Sequence, residues 1–376
     1  MLKKRKSYNH AVVGKDISCF GLILLIGLTI FLLKGQFFGF ANKEKIAFLW
    51  KYALPGEYRY VSLSGNGSNI CVSIDTKNYS ELDDRLFFLN DKGKLLWKRT
   101  TSGRSWAEVS KDGKYILCNV MENIRGPWWD NIFYLYDRKG KLLWKKEDER
   151  DLSFSENGKF IFSYFAPWEE SGPSLVSIYN LDGSLYWEYD VKMEIAYAKM
   201  SNDGNYFVVL GPVQGRDIRV FLYSKEGGLI WDNQVVNDVD SGDSVEISED
   251  SQYVLYSFVP FFNNDLFLFD ISGKLLWKGS TLKKKLPKIN SARFINKDTI
   301  EIVTKEPTKW GKKYYVNLKG EYWEPEILQK DTIANEYLKE TGDKAYNIVI
   351  SSDGKSGVVI SADKKTITYF NISSDR

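Results

Sequence analysis

One phrase recurs along this chain at a nearly constant interval. It reads DKGKLLWK at residues 91–98 and DRKGKLLWK at 137–145, then returns as LDGSLYW ending at Trp187, KEGGLIW at Trp231, ISGKLLW at Trp277 and LKGEYW at Trp323. IAFLW, ending at Trp50, keeps only its second half. The seven tryptophans so marked stand 47, 47, 43, 44, 46 and 46 residues apart. That period fits one four-stranded propeller blade and lies above the helical and leucine-rich repeats.

The second unit serves as a template for the strands. Residues 106–110 (WAEVS) alternate and end at a KDGK turn, residues 115–120 (YILCNV) form a short apolar run, and residues 132–136 (IFYLY) alternate again. After the turn DRKGK the chain runs out through Leu142, Leu143 and Trp144. These are strands A to D of one blade, with Gly and Asn/Asp turn chemistry at the A-to-B and C-to-D hairpins. The A-to-B turn recurs as SGNG (64–67), SKDG (110–113), SENG (155–158), SNDG (201–204), SEDS (248–251), NKDT (296–299) and SSDG (351–354). One such turn accompanies each tryptophan, so the expected fold is all-β, a seven-bladed β-propeller.

The two ends of the repeat complete each other. A tryptophan strand at 46–52 precedes any A strand, and the last unit, 346–372, has strands A, B and C without a D. Strand 46–52 is therefore expected to close blade 7 by pairing with 366–372, leaving no sheet edge open between the termini. Residues 329–345 (QKDTIANEYLKETGDKA) lack the strand pattern and read as a short helical insertion.

Ahead of the repeats, residues 1–16 hold Lys3, Lys4, Arg5, Lys6 and Lys15 against Asp16, and residues 17–33 (ISCFGLILLIGLTIFLL) carry no charge and no proline. With Lys34 and the aromatics of 35–40, this reads as one transmembrane signal-anchor over 17–40 behind a basic tail of 1–16. The positive-inside rule puts that tail in the cytoplasm and the propeller, 41–376, outside it. A cleavable signal peptide, cut after Ala41 with Gly39 at the −3 position, is the alternative. The net charge is only +3, much of it near the N-terminus, so the propeller is close to neutral and no nucleic-acid partner is expected.

The phrase Tyr, two residues, Asp, two or three residues, Gly-Lys-Leu-Leu-Trp resembles the repeat of pyrroloquinoline-quinone (PQQ)-like propellers. The Ser-x-Asp-Gly-Lys turns resemble those of WD40-like and TolB-type propellers. The resemblance spans residues 46–376 and implies fold more than function. For the quinone enzymes it would imply a calcium-bound cofactor beside a vicinal cysteine pair, whereas Cys71 and Cys118 stand alone here. Both cysteines fall in B strands, on opposite sheet faces if the strands are regular, and are expected to be buried and free.

The only histidine, His10, precedes the propeller, which excludes Ser-His-Asp, Cys-His and histidine-zinc chemistry within it. No cofactor is expected beyond a candidate Ca²⁺ loop at Asp238, Asp240 and Asp243, which departs from EF-hand order and lacks the distal glutamate. For the tryptophans of the repeat, packing between neighbouring sheets is the expected role.

The two faces of the ring differ. A-to-B and C-to-D turns share one face and are tight and polar, whereas the B-to-C connections opposite carry proline and aromatics. These are Pro127 with Trp128 and Trp129, Pro167 with Trp168, Pro212 with Arg216, Pro260 with Phe261 and Phe262, and Pro307 with Trp310. Large aromatics on loops mark recognition surfaces. The expected function is a membrane-anchored binding or scaffolding module whose aromatic rim (Trp128, Trp129, Trp168, Arg216, Phe261, Phe262, Trp310) takes a protein or a polysaccharide. The alternative is a carboxylate- or Ca²⁺-dependent lyase or hydrolase in the channel, with Tyr60, Glu108, Lys199, Glu246 and Arg293 as the axial candidates.

Overall fold

A computed structural model describes residues 44–75, 85–122, 130–147, 151–155, 157–165, 173–213, 217–226, 228–236, 244–258, 265–282, 289–304, 311–324 and 330–374. The strands among them form seven antiparallel four-stranded sheets. Six are built from consecutive strands. Blade 1 holds Glu57–Leu63, Asn69–Asp75, Arg85–Asn90 and Leu95–Thr100, and blade 2 holds Arg104–Val109, Tyr115–Glu122, Asp130–Asp137 and Leu142–Glu147. The seventh joins Ala345–Ile350, Ser356–Ser361 and Thr366–Ser374 to the strand Glu44–Ala53 from the other end of the described chain. The ring is therefore closed by its N-terminal strand.

Each sheet is too thin to bury its own apolar faces, so the core consists of the spaces between blades. Val61, Val72 and Ile74 of blade 1 pack against Val358, Ile360 and Tyr369 of blade 7, and Cys71 and Phe88 of blade 1 against Ile116 and Val120 of blade 2. One space is filled differently. The face of blade 7 carrying Ile348, Val359 and Phe370 is covered by Ile333 and Tyr337 of the helix Lys330–Thr341. The outermost strand before that helix, Tyr322–Trp323, is the shortest among the described residues.

Cys71 and Cys118 are buried and free, as the sequence leads one to expect. Opposite faces of adjacent blades look at each other, and both thiols belong to the same cluster between blades 1 and 2. Burial pushes the Cys71 thiol up to about 12.

The recurring tryptophan locks one blade to the next at five boundaries, whereas Trp323 of blade 6 is exposed. Trp50, Trp97, Trp144, Trp231 and Trp277 donate their indole N–H to the carbonyls of Asp91, Arg138, Leu181, Ile271 and Leu318, at 2.7, 3.2, 3.0, 2.9 and 3.0 Å. All five carbonyls lie in the C-to-D turn of the following blade. There Gly93, Gly140, Gly183 and Gly273 have positive φ, and a Cβ on any of them would meet the incoming indole. A β-bulge precedes the tryptophan in blades 1 to 5, so that Leu96, Leu143, Tyr186, Ile230 and Leu276 have no register partner. Bulges re-aim the side chains beside them.

The A-to-B turns are fastened by their first serine. The Ser110 hydroxyl donates to Asp112 Oδ1 (2.8 Å) and accepts the Tyr115 N–H (3.0 Å). Ser155, Ser201, Ser248 and Ser351 make the same pair of bonds, which satisfies polar groups inside a buried turn.

Candidate functional site: the central channel

The innermost strands line the axis, and the turn serines give them a common register. Two residues before each stand Ser62, Glu108, Ser153, Lys199, Glu246 and Val349. Arg293 takes the corresponding place before Ile295, whose N–H bonds Thr299 much as each serine N–H bonds the residue after its turn. The Arg104–Val109 strand alternates between buried and half-buried residues, with Glu108 on the half-buried, channel side.

Several of these residues tie one inner strand to the next. Ser62 Oγ accepts the N–H of Val109 at 3.1 Å, and Glu108 Oε2 accepts the N–H of Phe154 at 3.2 Å. Lys199 Nζ lies 3.2 Å from Glu246 Oε2 and donates to Oε1 at 3.3 Å. At the turns, Gly65 N–H donates to the Lys111 carbonyl (2.8 Å) and Asp353 N–H to the Gly65 carbonyl (3.0 Å). Backbone and side chains alike thus join neighbouring inner strands around the axis.

Inside this collar lies a cavity of about 660 Å³. Tyr60, Glu108, Lys199 and Arg293 line it, together with the turn residues Asn66, Lys111, Glu249 and Asp353. It therefore opens towards the tight-turn face. Burial pushes the Glu108 carboxyl up to about 7, against the opposing pull of the Phe154 N–H and the Lys199 charge. Tyr60 is raised by burial and then by Glu108, and Tyr197 by burial, with Lys199 pulling the other way. Arg293 reaches the wall of blade 6, where its Nη2 lies 3.0 Å from Glu301 and Lys313 Nζ sits 2.7 Å from the same carboxylate. Burial would raise Glu301, but Arg293 and Lys313 outweigh it and hold the carboxyl below its ordinary value.

The chemistry available is acid–base and ionic. A carboxyl that titrates near neutrality stands within the influence of a lysine and a tyrosine, a combination that can exchange a proton or grip a polar ligand. The sequence names Tyr60, Glu108, Lys199, Glu246 and Arg293, and the inner strands carry all five. It misses Ser62, which shares the register of Glu108 while Tyr60 stands two residues earlier. Counting back two from each turn serine finds it.

The remaining sequence-derived sites, Trp128, Trp129, Trp168, Arg216, Phe261, Phe262 and Trp310 and the acids Asp238, Asp240 and Asp243, lie outside the described residues. So does the apolar segment 17–40, and among the described residues no helix is long and apolar enough to cross a membrane. No group of three or more His, Cys, Asp or Glu among the described residues could hold a metal ion.

No family model and no curated protein matches the chain. Among solved structures it is similar to the β-propeller domain of the trilobed protease from Pyrococcus furiosus, with a TM-score of 0.53 and 11% identity over 85% of this chain and 94% of that one. It is similar also to the Dos1 propeller, with a TM-score of 0.48 and 11% identity over 87% of this chain and 95% of that one. A eukaryotic initiation factor gives a TM-score of 0.42 and 13% identity over 62% of this chain, which spans 54% of that chain's length. With seven sheets in a closed ring, the chain is a seven-bladed β-propeller, and at such identities the likeness carries fold alone.

Proposed function

We propose that this chain is a membrane-anchored binding or scaffolding propeller, held by residues 17–40 with its ring outside the cytoplasm, that engages a protein or a polysaccharide through its B-to-C loops. The observation that carries the reading is the unequal chemistry of the two faces. On one face the A-to-B turns are serine-fastened and the C-to-D turns receive the tryptophans, which commits them to holding the ring. On the other, the strand pairs of blades 2 to 6 are joined by connections that hold Trp128, Trp129, Trp168, Arg216, Phe261, Phe262 and Trp310. Aromatics and arginine dominate recognition energetics, and stacking on sugar rings or capture of apolar peptide side chains would follow. The repeat phrase favours a PQQ-like or TolB-type lineage, and no nucleic acid or resident cofactor is part of the proposal.

Photo-crosslinking from Trp129 and Phe261 in the membrane, with Asp112 on the opposite face as control, tests it. A discrete adduct from the two loop positions alone supports recognition by that face and identifies a protein or glycan partner. Adducts from Asp112 alone would refute it.

A second reading, a channel lyase or hydrolase, draws on the raised Glu108 carboxyl beside Lys199 and Tyr60. Glu108 already holds the Phe154 N–H as Ser62 holds that of Val109, so its position has a structural use shared with a serine. The anchored orientation would also turn the cavity mouth towards the bilayer. The shared structural use of that position favours binding by the loop face.

A further inference from the structure

The bulge before the tryptophan in blades 1 to 5 leaves a repeated apolar feature on the surface, of which only Tyr186 has an aromatic contact within the ring, with Phe160. In each of blades 1 to 5 the residue without a register partner is large, apolar and exposed. These are Leu96, Leu143, Tyr186, Ile230 and Leu276, and all but the first follow an exposed leucine, Leu142, Leu185, Leu229 or Leu275. Leu185 and Leu229 reach 53% and 52% exposure, on outermost strands where nothing in the ring covers them. All these residues open their strand directly after a C-to-D turn. They therefore recur at one height around five of the seven blades, next to the tight-turn face, as an apolar belt more regular than the scattered exposed side chains of an ordinary surface.

The belt has company that indicates what covers it. The adjoining turns of blades 1 and 2 expose Lys92, Lys94, Arg138, Lys139 and Lys141, and those of blades 5 and 6 expose Lys274 and Lys319. The same ring of turns also holds the acids Asp91, Asp137, Asp182, Glu226, Asp270 and Glu321, so the basic excess belongs to blades 1 and 2. Glu44 begins the outermost strand of blade 7 at this same rim, so the 43 residues before it, including the uncharged run 17–33, join the ring here. Exposed leucines interleaved with lysines fit an interface of acyl chains below anionic headgroups.

We propose that this belt is a lipid-contacting surface, which seats the propeller flat on an anionic bilayer with the bulge residues in the headgroup–acyl boundary and the turn lysines on the phosphates. The proposal rests on the membrane-anchored reading and extends it from one segment to the ring itself. Such seating would fix which face looks outward.

The test uses the full chain in nanodiscs containing one copy each, with Cys19→Ser as background and a bimane probe on Leu143→Cys, Ile230→Cys, Leu25→Cys or Ala362→Cys. Brominated phosphatidylcholine in the disc serves as quencher. Leu143 and Ile230 sit on the belt, Leu25 reports the anchor, and Ala362 lies on the opposite face of blade 7. In discs containing phosphatidylglycerol, the probes at 143, 230 and 25 are expected to lose most of their fluorescence and the probe at 362 to keep it. Leaving out phosphatidylglycerol should restore the signal at 143 and 230 but not at 25. If 25 is quenched while 143 and 230 are not, the belt proposal falls and the anchor stands. If 143 and 230 are quenched and 25 is not, the belt stands and the anchor falls. Equal quenching at 143 and 230 without anionic lipid would overturn the role of the basic turns. Probe-to-probe transfer between copies in detergent, with no lipid quenching, would reassign the belt to self-association.

Discussion

Trp97 of blade 1 lies on Gly140 of blade 2. A Cβ built on that glycine stands 2.8 Å from the indole Cγ, while the indole N–H donates to the Arg138 carbonyl two residues away. The glycine has a φ of +80°, so turn conformation and close approach both require it. The two most constant residues of the repeat phrase are thus partners across a blade boundary, and Gly93, Gly183 and Gly273 receive the tryptophan of the unit before in the same way. The register of one blade is thereby transmitted to the next.

Gly140→Ala should therefore cost about 2–5 kcal/mol of stability, the left-handed strain of an alanine plus displacement of a packed indole. Gly354→Ala makes a matched control. Its φ is +71° but nothing lies within 4 Å of the added methyl, so only the strain of about 1–2 kcal/mol is expected. Equal losses in chemical denaturation of the two variants would show that the tryptophan contributes nothing at that turn.

Glu108 gives the ring a pH dependence of unusual sign for a carboxylate. Its folded value, about 7, lies above the ordinary 4.5. The fold thus prefers the protonated acid, and the associated stability is fully present below pH 4.5 and lost as pH rises through 7. The loss at high pH is at most about 3 kcal/mol. Glu108→Gln keeps an acceptor for the Phe154 N–H and removes the charge. It should be more stable than the parent at pH 8 and indistinguishable from it at pH 4, as read by unfolding at the two pH values.

Glu301 has the opposite sign. Arg293 and Lys313 hold it below its ordinary value, so its contribution is complete above that value and disappears as pH falls through the depressed one. Glu301→Gln should destabilise the chain by on the order of 3 kcal/mol at pH 7, because two cations then face a neutral amide in a buried position. The deficit should shrink as the solution is acidified below the ordinary carboxylate range.

Cys71 and Cys118 should resist thiol reagents in the native state and react at a rate set by global opening of the ring, since both are buried and Cys71 is held as the thiol. Labelling followed by mass spectrometry across a denaturant series checks this. Fast modification in native buffer would place the boundary between blades 1 and 2 elsewhere.

Much of the ring was legible because each repeat states the same solution. The turn serines and tryptophans mark the seven sheets, and the missing fourth strand at one end points to the extra strand at the other. What escaped was contact between repeats. Leu142, Leu143 and Trp144 read as a plain strand, which would put Leu142 and Trp144 on one face, and nothing local announces the bulge that gives Leu143 to solvent. Nor does face parity within a blade say which residues meet, since the opposite faces that carry Cys71 and Cys118 look at each other across a blade boundary. The channel was half legible: Glu108 and Lys199 stand out by charge, whereas Ser62 does the work of Glu108 with an unremarkable side chain. The rim residues, from Trp128 to Trp310, occupy connections that differ between blades in length and composition, so the repeat gives no register from which to infer their geometry.

The central structural claim is that Glu44–Ala53 closes blade 7, and hydrogen exchange on the full chain tests it without mutation. Paired on both sides, the backbone amides of Thr366–Ser374 should exchange as slowly as those of the third strands Arg85–Asn90 and Asp130–Asp137. Exchange of Thr366–Ser374 as fast as that of outermost strands such as Leu95–Thr100 would mean that the blade ends in an open edge and that the ring is not closed.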